Sequence, residues 1–75
     1  EEMAYIELKQ ALSNSLKARR TKEKLSQTEL AKIVKTSQSR VAKMEAGDPT
    51  VSIDLLVKSL IALGASPKDL AKAIT

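Results

Sequence analysis

Histidine and cysteine are both absent from this 75-residue chain. Their absence removes the commonest general base, the commonest thiol nucleophile, every disulfide and the usual zinc ligands. The carboxylates do not cluster in sequence, no hydroxyl has a candidate base beside it, and no metal-ligand set can be assembled. No catalytic residue and no metal site are therefore expected, and nothing in the pattern asks for a cofactor. The only aromatic residue is Tyr5, too little for a module that stacks single-stranded bases on aromatic platforms. No apolar run approaches the length needed to cross a bilayer. The acidic start, EEMAYIEL, lacks the basic n-region of a signal peptide. A small chain without cysteine suits a reducing compartment, so a cytoplasmic location is expected. The chain opens on Glu1 rather than Met, as a piece of a longer protein would.

What is present points to a small helical domain. Apolar residues make up 43% of the chain, enough for a globular core rather than disorder. At this length the expectation is one domain, residues 1–75, near the lower size at which a core holds without staples. The net charge of +4 is unevenly placed. From Lys9 to Lys43 there are ten Lys or Arg against two acids, Glu23 and Glu29, a net of +8. Residues 1–8 carry −3 and residues 44–75 carry −1. A phosphate backbone matches that half of the chain. A solvated basic face kept for solubility is the plainer alternative.

The spacing predicts five helices, no strand and no internal repeat. The first runs from about Tyr5 to Arg20, with Tyr5, Leu8, Leu12 and Leu16 as one apolar stripe. Lys22, Glu23 and Lys24 form a polar loop. Ser26 and Glu29 fit a capping box that opens the second helix, which buries Leu30, Ala31 and Val34. Ser37 caps the third, which runs to about Ala46, buries Val41 and Met44, and stops at Gly47 before the Asp48-Pro49 turn. The fourth runs from Ser52 to Leu63 and ends at Gly64. Ser66-Pro67, with Asp69, opens a fifth that runs to about Ile74.

The stretch from Leu25 to Gly47, LSQTELAKIVKTSQSRVAKMEAG, carries the most information. Two short helices joined by a tight turn suit a helix that enters the major groove. Ser37, Gln38, Ser39 and Arg40 occupy the first turn of the second of them, and Lys43 follows one turn later. Gln can bond adenine through two hydrogen bonds and Arg can do the same with guanine. An ordinary amphipathic surface helix, polar side outward, is the alternative that these residues alone leave open.

From about Leu16 to Leu63 the chain resembles the helix-turn-helix domain of the Cro/xre-type repressor family of phages and bacteria. The matching residues are Arg20, Leu25-Ser26-Gln27, Glu29-Leu30-Ala31, Val34, Thr36-Ser37-Gln38-Ser39, Val41, Glu45 and Gly47, followed by Leu55 and Leu60-Ile61-Ala62-Leu63-Gly64. The resemblance implies an all-α, compact, lambda-repressor-like five-helix bundle that binds double-stranded operator DNA, usually as a homodimer. It makes the third helix the recognition helix, with Gln38, Ser39, Arg40 and Lys43 at base-reading positions and Ser37 at its cap. It places Gln27 against a phosphate, with Ser26 beside it, and pairs Arg20 with Glu45 as a structural ion pair.

Further phosphate candidates are Lys32, Lys35, Lys43, Thr50 and Ser52, while Lys17, Lys22 and Lys24 read as solvated. Where the family turn usually carries Gly, this chain has Lys35. A left-handed conformation there costs Lys about 1–2 kcal/mol, so either the turn is built differently or Lys35 is kept because it reaches phosphate. Ile53, Val57 and Ile61 lie largely off the core-facing stripe of the fourth helix. They are the candidate dimer face, together with the N-terminal Met3 to Leu8 segment, and cover by the N-terminal part of the first helix or by the fifth helix of the same chain is the alternative. Three functions stay open: a repressor, an antitoxin with a toxin protein as its main partner, and a helix-turn-helix used only to bind protein.

Overall fold

The computed structural model describes residues 2–74, and every regular element among them is an α-helix. They are α1 (Glu2–Lys22), α2 (Gln27–Ile33), α3 (Gln38–Ala46), α4 (Ile53–Ala62) and α5 (Pro67–Ile74). The long α1 packs against α3, α4 and α5, and α2 packs against α3. No helix among the described residues is long and apolar enough to cross a membrane.

Serine sets every helix start after α1. Ser26, Ser37, Ser52 and Ser66 each accept, through Oγ, the backbone N–H three residues on, at 3.0, 3.1, 3.1 and 3.2 Å. Each cap satisfies a donor that the first turn leaves without a partner, a contribution of about 1 kcal/mol. Glu29 and Asp69 complete two of them by accepting the cap residue's own N–H at 2.8 and 2.9 Å. Those hydrogen bonds, backbone first and hydroxyl second, hold the Glu29 and Asp69 carboxyls below the ordinary carboxylate range.

The helix ends share one form as well. α1 to α4 each finish in a left-handed residue whose neighbour's N–H returns to a carbonyl of the last turn: Leu25 to Arg20, Thr36 to Ala31, Asp48 to Lys43 and Ala65 to Leu60, at 2.8–3.1 Å. The left-handed residues are Lys24, Lys35, Gly47 and Gly64, with φ of 59°, 59°, 72° and 91°. The turn after α2 is built in the left-handed form, on a lysine. Lys24 does the same after α1, which the sequence reading does not anticipate.

The core is apolar and drawn from α1 to α4. Leu12, Leu16, Leu30, Ala31, Val41, Met44, Leu56 and Leu60 are buried, joined by Val51 from the loop before α4 and Ala65 from the loop after it. Val34 is half-buried rather than buried. Leu70 and Ala73 of α5 lean on this core without being enclosed, and Arg19 of α1 pairs with Asp69 of α5 at 3.3 Å.

The first helix departs most from expectation. It spans Glu2–Lys22 rather than about Tyr5 to Arg20, and no Gly or Pro lies within it. Its 21 residues reach about 31 Å, against about 15 Å for the ten of α4. The first turns therefore run past the bundle, and Tyr5 is 50% exposed instead of closing the apolar stripe. Further along, α1 passes close to the end of α3. A Cβ on Gly47 would lie 2.8 Å from Gln10 Oε1 and 3.8 Å from Ser13 Oγ. Ser13 is fully enclosed there, and its hydroxyl has no partner among the described residues.

Candidate nucleic-acid interface

Two faces of α3 do different work. Val41, Met44 and Glu45 point inward and are buried. Ser37, Gln38, Ser39, Arg40 and Lys43 are exposed together on the other side. This is the arrangement expected of a helix locked to a scaffold by one side and offered to a groove by the other. Ser37, Ser39, Arg40, Lys43 and Thr50 line an open depression of about 350 Å³.

The inward face fixes the helix through charge. Arg20 donates to Glu45 from Nε at 2.5 Å and from a terminal nitrogen at 3.0 Å, a two-pronged pair with both side chains largely out of solvent. Arg20 also donates to the Leu25 carbonyl at 2.7 Å, which ties in the loop before α2. The hydrogen bond to Glu45 raises the Arg20 pKa further above its already high value, against a smaller opposing effect of burial. A charged fork of this kind holds orientation as well as distance.

The chain of contacts continues outward. Gln27 donates from Nε2 to Glu45 Oε1 at 3.1 Å, and Gln38 donates from Nε2 to Gln27 Oε1 at 2.6 Å. Arg20, Glu45, Gln27 and Gln38 thus form one connected line from α1 to the first residue of α3. Sequence alone assigns these four residues to three separate tasks: an ion pair, a phosphate contact and a base contact. Nothing in their spacing shows that Gln27 stands between the ion pair and Gln38, because the contact depends on how α2 crosses α3.

The phosphate candidates are less uniform. Lys32 and Lys35 are exposed, whereas Ser26 and Ser52 serve as caps. A capping hydroxyl accepts with its oxygen and still has its own O–H to give. Thr50 is engaged: its backbone N–H and its hydroxyl both donate to Asp48 Oδ1, at 2.8 and 2.6 Å. Those bonds, the hydroxyl's first, hold the Asp48 carboxyl below its ordinary range, with Lys43 and Lys9 adding a smaller pull. Thr50 would have to release Asp48 before its hydroxyl could serve a phosphate.

On the candidate dimer face, Ile61 is 54% exposed, while Ile53 and Val57 are half-buried against the core. Cover from within the chain therefore accounts for part of that face. Among the described residues no group of His, Cys, Asp and Glu is placed to hold a metal ion.

Residues 16–74 match the family model described as helix-turn-helix, of the Cro/C1 type. The chain belongs to that family. The match takes in α2 to α5 and the end of α1, so it extends past Leu63, where the resemblance read from sequence stops. Membership makes the chain a DNA-binding transcription regulator, from a family that is generally non-enzymatic. No curated protein and no solved structure gives a significant match.

Proposed function

We propose that this helix-turn-helix protein is a sequence-specific regulator, most simply a repressor, that lays α3 in the major groove of double-stranded DNA. The observation that carries the reading is the exposed face of α3, where Gln38, Ser39, Arg40 and Lys43 stand beside the cap Ser37. Gln38 and Arg40 have the two-pronged geometry that reads adenine and guanine, each good pair being worth roughly 1–3 kcal/mol of discrimination. Ser26, Gln27, Lys32, Lys35 and Ser52 fit the role of phosphate contacts, which position a protein without carrying sequence information, and Thr50 joins them only on releasing Asp48. Gln27 fills that role through its backbone N–H, because both ends of its side chain are engaged by Glu45 and Gln38. The proposal includes a homodimer in which Ile61 leads the contact and Ile53 and Val57 add their half-exposed sides.

Selection from a random duplex pool at a stated moderate salt, with nonspecific competitor, tests the whole reading. A dimeric regulator enriches a palindrome whose half-sites lie about one helical turn apart. An antitoxin that represses its own genes would enrich such a site too, and its copurification with a toxin protein would separate it from a stand-alone repressor. Binding without enrichment would show that the basic surface acts by charge alone.

A further inference from the structure

Lys24 and Lys35 are the two non-glycine residues with positive φ among the described residues, both at 59°. The equivalent positions after α3 and α4 hold Gly47 and Gly64, the residue that adopts this conformation without a steric penalty. The chain thus uses glycine at two of four such helix ends and tolerates strain at the other two. Inside the fold neither lysine repays it: both are exposed, and neither side chain makes a hydrogen bond or ion pair among the described residues. Strain that a fold keeps without internal benefit points outward, to function.

The two positions are also related to each other. Residues 24–32, KLSQTELAK, and residues 35–43, KTSQSRVAK, agree at Lys24/Lys35, Ser26/Ser37, Gln27/Gln38, Ala31/Ala42 and Lys32/Lys43. This is an eleven-residue repeat, contrary to the expectation of none, and the structure repeats with it. In each copy a left-handed lysine ends one helix and, two residues later, a serine caps the next. The two glutamines that follow the caps touch at 2.6 Å. Each lysine is three residues upstream of its glutamine, at most about 11 Å of chain. The pair therefore brackets the point where α2 and α3 begin side by side.

We infer that Lys24 and Lys35 are a matched pair of DNA-phosphate contacts that flank the entry of α3 into the groove, kept as lysine at the expense of turn strain. The inference rests on the DNA-binding reading above and extends it to Lys24, which sequence alone leaves as a solvated charge. Their local setting, a net +8 between Lys9 and Lys43, suits a polyanion rather than a single acidic side chain.

The test compares the full chain with K24G, K35G, K24R and K35R. It measures Tm, and it measures affinity for two unrelated 20-base-pair duplexes between about 50 and 200 mM salt, a range over which phosphate contacts dominate the change. Each glycine variant is expected to melt a few degrees higher. Each should also bind both duplexes several-fold more weakly, with the salt slope reduced by about one. The arginine variants should keep the wild-type slope. Glycine variants that melt higher but keep wild-type affinity and slope would overturn the inference, and so would glycine variants that melt no higher. Failure of the wild-type chain to bind either duplex would instead sink the DNA-binding reading on which the inference stands.

Discussion

Gln38 is held by Gln27: its amide donates to the Gln27 carbonyl oxygen at 2.6 Å, and Gln27 in turn donates to Glu45. A side chain that would otherwise be free on an exposed helix is thereby given one orientation before any DNA arrives. Preorganisation of this kind lowers the entropy lost on binding.

Gln27→Ala should therefore reduce discrimination more than it reduces stability. The expected loss is roughly five-fold in the ratio of preferred-site to random-site affinity, equivalent to about 1 kcal/mol. The salt slope should stay as in wild type, because the backbone N–H survives the substitution. Competition binding at fixed salt measures the ratio, and an unchanged ratio would mean that the Gln27–Gln38 contact has no part in recognition.

Glu45→Gln should lower Tm more than Glu23→Gln does. Glu45 is buried and accepts from both Arg20 and Gln27, while Glu23 is exposed. Removing its charge leaves Arg20 with weakened bonds in a mostly desolvated place, a cost of about 1–3 kcal/mol. In a domain of this size that is at least several degrees. Equal melting temperatures for the two variants would contradict the structural role of the pair.

Ser13→Ala should raise Tm. The Ser13 hydroxyl is enclosed between α1 and the end of α3 without a partner among the described residues. An enclosed polar group left unpaired costs about 1–3 kcal/mol, and alanine removes it with little change of shape. A lower Tm for the alanine variant would show that the hydroxyl does useful bonding.

The acid limb of stability should belong to two helix caps and the turn after α3. Glu29, Asp48 and Asp69 all have carboxyls held below their ordinary values by hydrogen bonds from Ser26, Thr50 and Ser66. A depressed folded-state pKa means that the unfolded chain binds more protons, so stability rises with pH through that window. The contribution is present above the ordinary carboxylate range, near about pH 4, and is lost as pH falls through the lowered values. With no histidine in the chain, Tm should change little between pH 5 and 8 and fall below pH 4. Asp69→Asn should make that fall shallower. A Tm that holds steady down to pH 2.5 would contradict the assignment.

Much of this architecture is legible in sequence because its signals are local. Ser26 with Glu29, Ser37, Ser66 with Asp69, Gly47 and Gly64 each state a helix boundary within four residues, and the structure keeps all of them. The Arg20–Glu45 pair is legible only through the family resemblance, since 25 residues separate its members. What escaped depends on packing. Tyr5 continues a helical stripe perfectly well, but α1 outruns the elements that could cover it. Val51 looks like a loop residue and is 1% exposed, since the turn after Asp48 folds it under the bundle. Lys24 gave no sign of strain, although the repeat that relates it to Lys35 was there to be read.

Whether α3 reads bases is decided by selection with Gln38→Ala beside wild type. If Gln38 contacts a base, the variant should enrich the same site with the preference relaxed at one base pair of each half-site, and the other positions kept. An enriched motif identical to the wild-type one would show that Gln38 reads nothing. A wild-type pool that gives no motif at all would contradict the central claim itself.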